Sequence, residues 1–183
     1  MGLGITDKFH VLKNLESIGS SSVVSVKRVF RFVDEIQQDN HHWPVQIEFD
    51  NGSFLLFDAA TDGMSIKADV KAWEGDPVLR EPNEHTLAYV REYGYLRLVN
   101  VSDVAPYSFL MGRRPHQFEP IVENIGDESD QRDRYLAGIR FYLGEHQLIF
   151  IAIMEECRVL PDVTDAQLDR WSFKAIKQYN SGE

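Results

Sequence analysis

Seven consecutive uncharged apolar residues, Leu148 to Met154, lie inside the stretch LAGIRFYLGEHQLIFIAIMEECRVL that runs from Leu136 to Leu160. The run is too short to cross a bilayer and has the ordinary length of a strand. Gly144 precedes it and the charged pair Glu155-Glu156 follows. Without polar alternation, such a run is expected to form a central strand buried on both faces. The rest of the chain is expected to be organised around it.

The chain before it is punctuated in the same way. Phe9, Leu12, Leu15 and Ile18 recur every three residues behind Thr6, which predicts a short amphipathic helix over 6–18. Val23 to Val33 is rich in β-branched and aromatic residues and reads as a strand; the polar segment from Asp34 to His42 reads as a loop. Val45, Ile47 and Phe49 then alternate with polar residues, and Asn51-Gly52 follows. That pair is the strongest short hairpin signal, because a type I′ turn needs positive φ at both central positions. Ser53 to Ala60 is the return strand and Met64 to Val70 a third. Asn83 is placed to cap a helix from Glu84 to Tyr93, closed by Gly94, and Tyr95 to Val101 reads as a strand. Phe118 to Ile125 is strand-like, with Pro120 implying an edge or a bulge. Thr164 and Gln167 have capping-box spacing, which predicts a C-terminal helix over 164–178.

Sliding the chain on itself by 92 positions lays Val45–Phe49 over Ala137–Phe141, Gly52 over Gly144, Leu56 over Leu148 and Ala60 over Ala152. Val29, Phe30 and Val33 fall on Ile121, Val122 and Ile125. The expectation is an internal duplication of a strand–loop–meander unit, over 23–70 and 115–162, with 71–114 as the connector. One meander cannot bury its apolar face alone; two can pack on each other or form one sheet. The expected fold is therefore α+β and sheet-rich: two antiparallel β-meander units with a few flanking helices, in one domain spanning 1–183.

Composition narrows the function classes. With 183 residues, 43% hydrophobic and 11% aromatic, the chain can build a core. A net charge of −10 argues against nucleic acid as a partner and favours a basic one. The single cysteine, Cys157, excludes an intramolecular disulfide and a cysteine-based zinc site, and reads as a small buried hydrophobe. The opening residues MGLGITDKFH lack a basic region followed by an apolar one, and no apolar run is long enough for a span. The expectation is a cytoplasmic protein with no membrane partner.

Catalytic and ligand-binding signatures are thin. The adjacent His41 and His42 point opposite ways on an extended segment, and His85, His116 and His146 lack i,i+4 partners. The least unfavourable metal set is His41, His42, Glu81 and His85, with Asp58 or Asp62 nearby, but no metal and no cofactor is expected. Neither a nucleophile elbow nor a phosphate-cradling glycine loop is present. Glu155-Glu156 reads as solvated charge at a strand end. Arg28 shares a strand face with Phe30 and Phe32 and reads as a snorkelling side chain. Asp127, Glu128, Asp130 and Asp133 form an acidic excursion suited to a basic partner.

The meander carrying Ile-x-Phe before a turn glycine (Ile47, Phe49 and Gly52; Ile139, Phe141 and Gly144), followed by an apolar strand, resembles two bacterial groups. One comprises the immunity proteins of contact-dependent and polymorphic toxin systems; the other comprises uncharacterised small acidic domain families found beside them. The resemblance covers 45–66 and 137–160 and transfers no residue roles. It implies a non-enzymatic protein that blocks a basic toxin or enzyme. The partner-binding candidates are Asp127, Glu128, Asp130, Asp133, His41, His42 and Trp43. The alternatives are an enzyme with a histidine–carboxylate cleft between the halves, and a structural or assembly subunit that forms a homodimer through sheet edges.

Overall fold

A computed structural model describes residues 13, 15, 16, 18, 20–38, 44–59, 65–123, 136–154 and 156–176. They form two antiparallel sheets and few helices, as the apolar alternation predicts. The first sheet contains β1 (Val23–Val33), β2 (Ile36–Gln37), β3 (Val45–Phe49), β4 (Phe54–Ala59), β5 (Ile66–Asp69) and β6 (Tyr95–Asn100). The second contains β7 (Gln117–Glu123), β8 (Leu136–Leu143), β9 (His146–Ile153), β10 (Glu156–Pro161) and β11 (Phe173–Ala175), in the order β10-β9-β8-β7-β11.

β1 is long enough to serve three partners. Residues 23–28 pair with β3 and residues 32–33 with β2, both on one edge; residues 27–32 pair with β6 on the other. The segment read as a loop from Asp34 thus contains a short strand, and Gln38 N–H and Pro44 C=O still bond β1 on either side of the interruption. The β1–β2 connection is the type I′ turn, with Asp34 and Glu35 both at positive φ. Asn51-Gly52 does make a hairpin, but of a different kind. The loop has three residues, closed by Phe49 N–H to Ser53 C=O at 3.0 Å, and only Gly52 takes positive φ (+78°).

The two sheets meet through one aromatic centre. Phe57 on β4 stacks on Phe150 of β9 with ring centroids 4.3 Å apart, and Phe141 on β8 meets both edge-on at 5.7 and 5.2 Å. Val26, Phe30, Ile47, Phe49 and Leu55 from the first sheet and Ile139, Leu148 and Ala152 from the second complete this layer, with Leu15 and Ile18 added from the N-terminal side. Lys13, Leu15, Glu16 and Ile18 are helical; the rest of the helix predicted over 6–18 lies outside the described residues. The run that begins at Leu148 is the two-faced strand it was expected to be. Leu148, Phe150 and Ala152 face the inter-sheet layer, while Ile149 and Ile151 face a second apolar layer with Ile121, Val163, Leu168 and Ala175.

Strands β1-β3-β4-β5 and β7-β8-β9-β10 follow each other in the same neighbour order. The offset between residues that face the inter-sheet layer changes along the unit. It is 92 for Ile47/Ile139 and Phe49/Phe141, 93 for Leu55/Leu148 and Phe57/Phe150, and 91 for Ile66/Cys157 and Ala68/Val159. A one-residue slip turns a strand over, so the ungapped offset sets Leu56, outside that layer, against Leu148, inside it.

Besides the N-terminal helical residues, the described residues include the helices α1 (Pro77–Arg80), α2 (Glu84–Tyr93) and α3 (Asp165–Arg170). α2 begins at the Asn83 cap, whose Oδ1 accepts from the backbone N–H groups of His85 and Thr86, and ends at Gly94. Gly94 has φ of +79°, and a Cβ there would overlap the carbonyl oxygen of Phe32 and lie 2.9 Å from Val33 Cγ2. Only glycine lets the helix end approach β1 this closely. α3 has the Thr164/Gln167 capping box but stops at Arg170. The helix predicted over 164–178 is overturned beyond that point: Ser172 turns the chain at φ of +64°, and Phe173–Ala175 pair with the edge of β7 as β11. At Pro120 the β7–β8 ladder approaches a register shift between Ile121 and Val122, the bulge that the proline implied.

Candidate functional surface

Two buried arginines mark the polar points of the fold. Arg28 projects from β1 into the inter-sheet layer and is 2% exposed, so it does not snorkel. Its Nη1 donates to the Tyr107 hydroxyl and its Nη2 to the carbonyl of Cys157 at 2.8 Å, while Nε has no partner. β10 is an edge strand, and this bond satisfies one of its carbonyls from the opposite sheet. Burial pushes the Tyr107 phenol up, and pushes the Cys157 thiol up to about 12. A thiol held protonated in this way is not a nucleophile near neutrality.

The second point lies between the second sheet and α3. Arg140 on β8 donates through Nη1 to Glu119 Oε2 at 2.7 Å and to Asp165 Oδ1 at 2.9 Å, and through Nη2 to the Val163 carbonyl at 3.3 Å. The Tyr142 hydroxyl also donates to Glu119, at 2.8 Å. Burial lowers the Arg140 pKa, but Tyr142, Asp165 and Glu119 more than offset it and the net shift is upward. Glu119 is buried and Asp165 is half exposed. This network fastens the start of α3 to the sheet; both terminal nitrogens of Arg140 are directed at protein groups, while its buried Nε has no partner.

Among the described residues Asp58 on β4 is the most perturbed carboxyl. Burial raises it from 3.8 to about 6, against the lowering effects of a backbone hydrogen bond from Ala59 and of Lys67 on β5. Among the described residues no group of three histidine, cysteine or acidic side chains can hold a metal ion. Of the metal set considered from the sequence, only Glu81 and His85 fall among the described residues with Asp58, and both are exposed. The histidines His116 and His146 come to one hairpin. His116 Nδ1 accepts weakly from Gly144 N–H at 3.4 Å, and His146 faces Asp162 at 3.6 Å. The partner-binding candidates Asp127, Glu128, Asp130, Asp133, His41, His42 and Trp43 all lie outside the described residues.

What the fold adds is the surface around α1 and α2. α2 buries none of its residues. Thr86 and Val90, four apart on one face, are half-buried, while Leu87 on one flank and Tyr89 and Tyr93 on the other are 45%, 43% and 46% exposed. Leu79 of α1 is 42% exposed. The same surface carries Glu81, Glu84 and Glu92, while Arg80 is engaged by Glu74 at 3.0 Å. The helix therefore has an apolar stripe wider than the seam that covers it. The sequence shows this stripe, but only the fold shows that its flanks are left open. No helix among the described residues is long and apolar enough to cross a membrane. No protein-family model matches the chain, and neither a curated protein nor a solved structure does.

Proposed function

We propose that the chain is a non-enzymatic binding protein of the immunity or inhibitor kind, which blocks a basic toxin or enzyme by covering its working surface. The observation that carries this reading is α2. A helix that leaves Leu87, Tyr89 and Tyr93 open beside Glu84 and Glu92 has the composition of a docking surface, aromatic anchors set among acids. The net charge of −10 acts at longer range and speeds encounter with a basic partner. Binding through such a surface needs no cleft, only the removal of exposed apolar area from water.

The test is capture on the immobilised full chain at low and moderate salt, followed by purification of the retained protein and assay of its own activity. One basic partner is expected, released as salt rises and inhibited at one-to-one stoichiometry. A Leu87→Ser variant should retain less of it. The reading fails if nothing is retained at low salt, or if the retained protein stays fully active when saturated with the chain.

A further inference from the structure

The tip of the β1–β2 hairpin and the end of α2 form one surface. Gly94 brings the helix end against Phe32 and Val33, so Tyr93 and Asp34 are each one residue from that contact. The tip is a type I′ turn built from Asp34 and Glu35, at φ of +50° and +62°. Asparagine or aspartate followed by glycine ordinarily occupies these positions, so Asp34 is usual there, whereas Glu35 stands in place of glycine in a conformation that L residues disfavour. A clasp fixes the turn: the Tyr95 hydroxyl donates to the Glu35 carboxylate at 3.0 and 3.1 Å, and Tyr95 stacks on Phe32 at 5.8 Å. Ile36, the next residue, is 66% exposed. On the helix side, the rings of Tyr89 and Tyr93 lie 4.9 Å apart with an interplanar angle of 34°, and the neighbouring Glu92 carboxylate holds the Tyr93 phenol above its usual range.

We propose that this surface receives an arginine-bearing segment of the partner. The guanidinium packs on the Tyr89–Tyr93 ring pair, Asp34, Glu35 and Glu92 balance its charge, and Ile36 packs along its aliphatic stem. Arginine fits better than lysine because its planar, weakly hydrated cation stacks on aromatic faces while its donors still reach carboxylates. The proposal rests on the binding-protein reading and names the chemistry of the partner at that site.

The test uses the full chain and a hexa-arginine peptide at about 150 mM salt, where long-range attraction is screened. Amide chemical shifts are expected to move in residues 33–37 and 87–96, and a hexa-lysine peptide is expected to bind several-fold more weakly. The double variant Tyr89→Leu, Tyr93→Leu keeps every charge and an apolar helix face. It should weaken hexa-arginine binding by about three- to tenfold, as expected for two exposed cation–π contacts. Equal affinity in the double variant, or shifts centred elsewhere on the chain, would overturn the proposal. The same variant separates the two readings. If it binds and inhibits the captured partner as the parent does, this surface assignment falls and the binding function stands. If capture yields no partner, the binding function falls on its own assay.

Discussion

Replacing Asp58 by asparagine should stabilise the protein near neutral pH and leave it unchanged in acid. Burial raises this carboxyl from 3.8 to about 6. The folded state therefore holds the Asp58 proton more tightly than the unfolded chain does. Well below pH 3.8 both states are protonated and nothing is lost; between about pH 4 and 6 the folded state loses stability because the unfolded chain ionises while the folded side chain keeps its proton; above that window the loss is constant. A shift of this size corresponds to about 3 kcal/mol at about 1.4 kcal/mol per pH unit. Asp58 is only half-buried, so solvent screening reduces the expected effect to about 1–2 kcal/mol. Asparagine is nearly isosteric, and its Oδ1 can still accept the Ala59 backbone hydrogen bond that the carboxylate accepts. Urea unfolding of Asp58→Asn and the parent, at about pH 3 and about pH 7, isolates this effect, because the remaining titrations cancel in the difference. The variant should gain about 1–2 kcal/mol at the higher pH and close to nothing at the lower. A variant that is less stable at neutral pH, or a difference that does not change with pH, would refute the assignment of burial as the dominant influence.

Gly94→Ala places a methyl group against the Phe32 carbonyl at a φ of +79° and should cost about 3 kcal/mol or more in thermal unfolding; a loss under about 1 kcal/mol would mean that the end of α2 does not dock on β1. Arg140→Met leaves Glu119 buried without its cation and should destabilise by about 3–5 kcal/mol in urea. Asp165→Ala, at the half-exposed end of the same network, should cost under about 1 kcal/mol, and equal losses at the two sites would contradict this division. Phe150→Ala removes the ring between Phe57 and Phe141 and should cost about 3–5 kcal/mol by equilibrium unfolding; a loss near that of an exposed site would place the two sheets differently.

The elements legible in the sequence were those whose ends are written locally. α2 is delimited by Asn83 and Gly94, and the N-terminus of α3 by Thr164 and Gln167, because caps satisfy orphaned helix-end groups within a few residues. The C-terminal end of α3 was not legible. Phe173, Lys174 and Ala175 have no strong local preference, and the free edge of β7, some fifty residues earlier, recruits them. Asn51-Gly52 announced a hairpin but not its loop length, which depends on how Phe49 and Ser53 pair. The role of Arg28 was hidden for the same reason. Its face was readable beside Phe30 and Phe32, but its acceptors, Tyr107 and the Cys157 carbonyl, are distant in the chain. The charge pattern points to acidic runs as a binding site, whereas Tyr89 and Tyr93 sit in a helix that the sequence alone would place against a core.

The same strand order produces two layers with different needs. β9 is apolar on both faces, so the second sheet needs cover on its outer side, and Val163, Leu168 and Ala175 supply it, with Arg140 fixing the cover in place. β3 and β4 carry Gln46, Glu48 and Asp58 among their core residues, so the corresponding side of the first sheet is served by polar contacts. Gln46 accepts from the Trp73 backbone N–H at 2.7 Å, and Asp76 accepts from both Val78 N–H and Leu96 N–H, tying the start of α1 to β6. These bonds hold the segment before α2 through its backbone and leave α2 itself lightly packed. An amphipathic helix normally gains its stability by burying its stripe. Here the Asn83 capping box and the Gly94 contact fix the two ends, so the helix can keep Leu87, Tyr89 and Tyr93 open to another molecule.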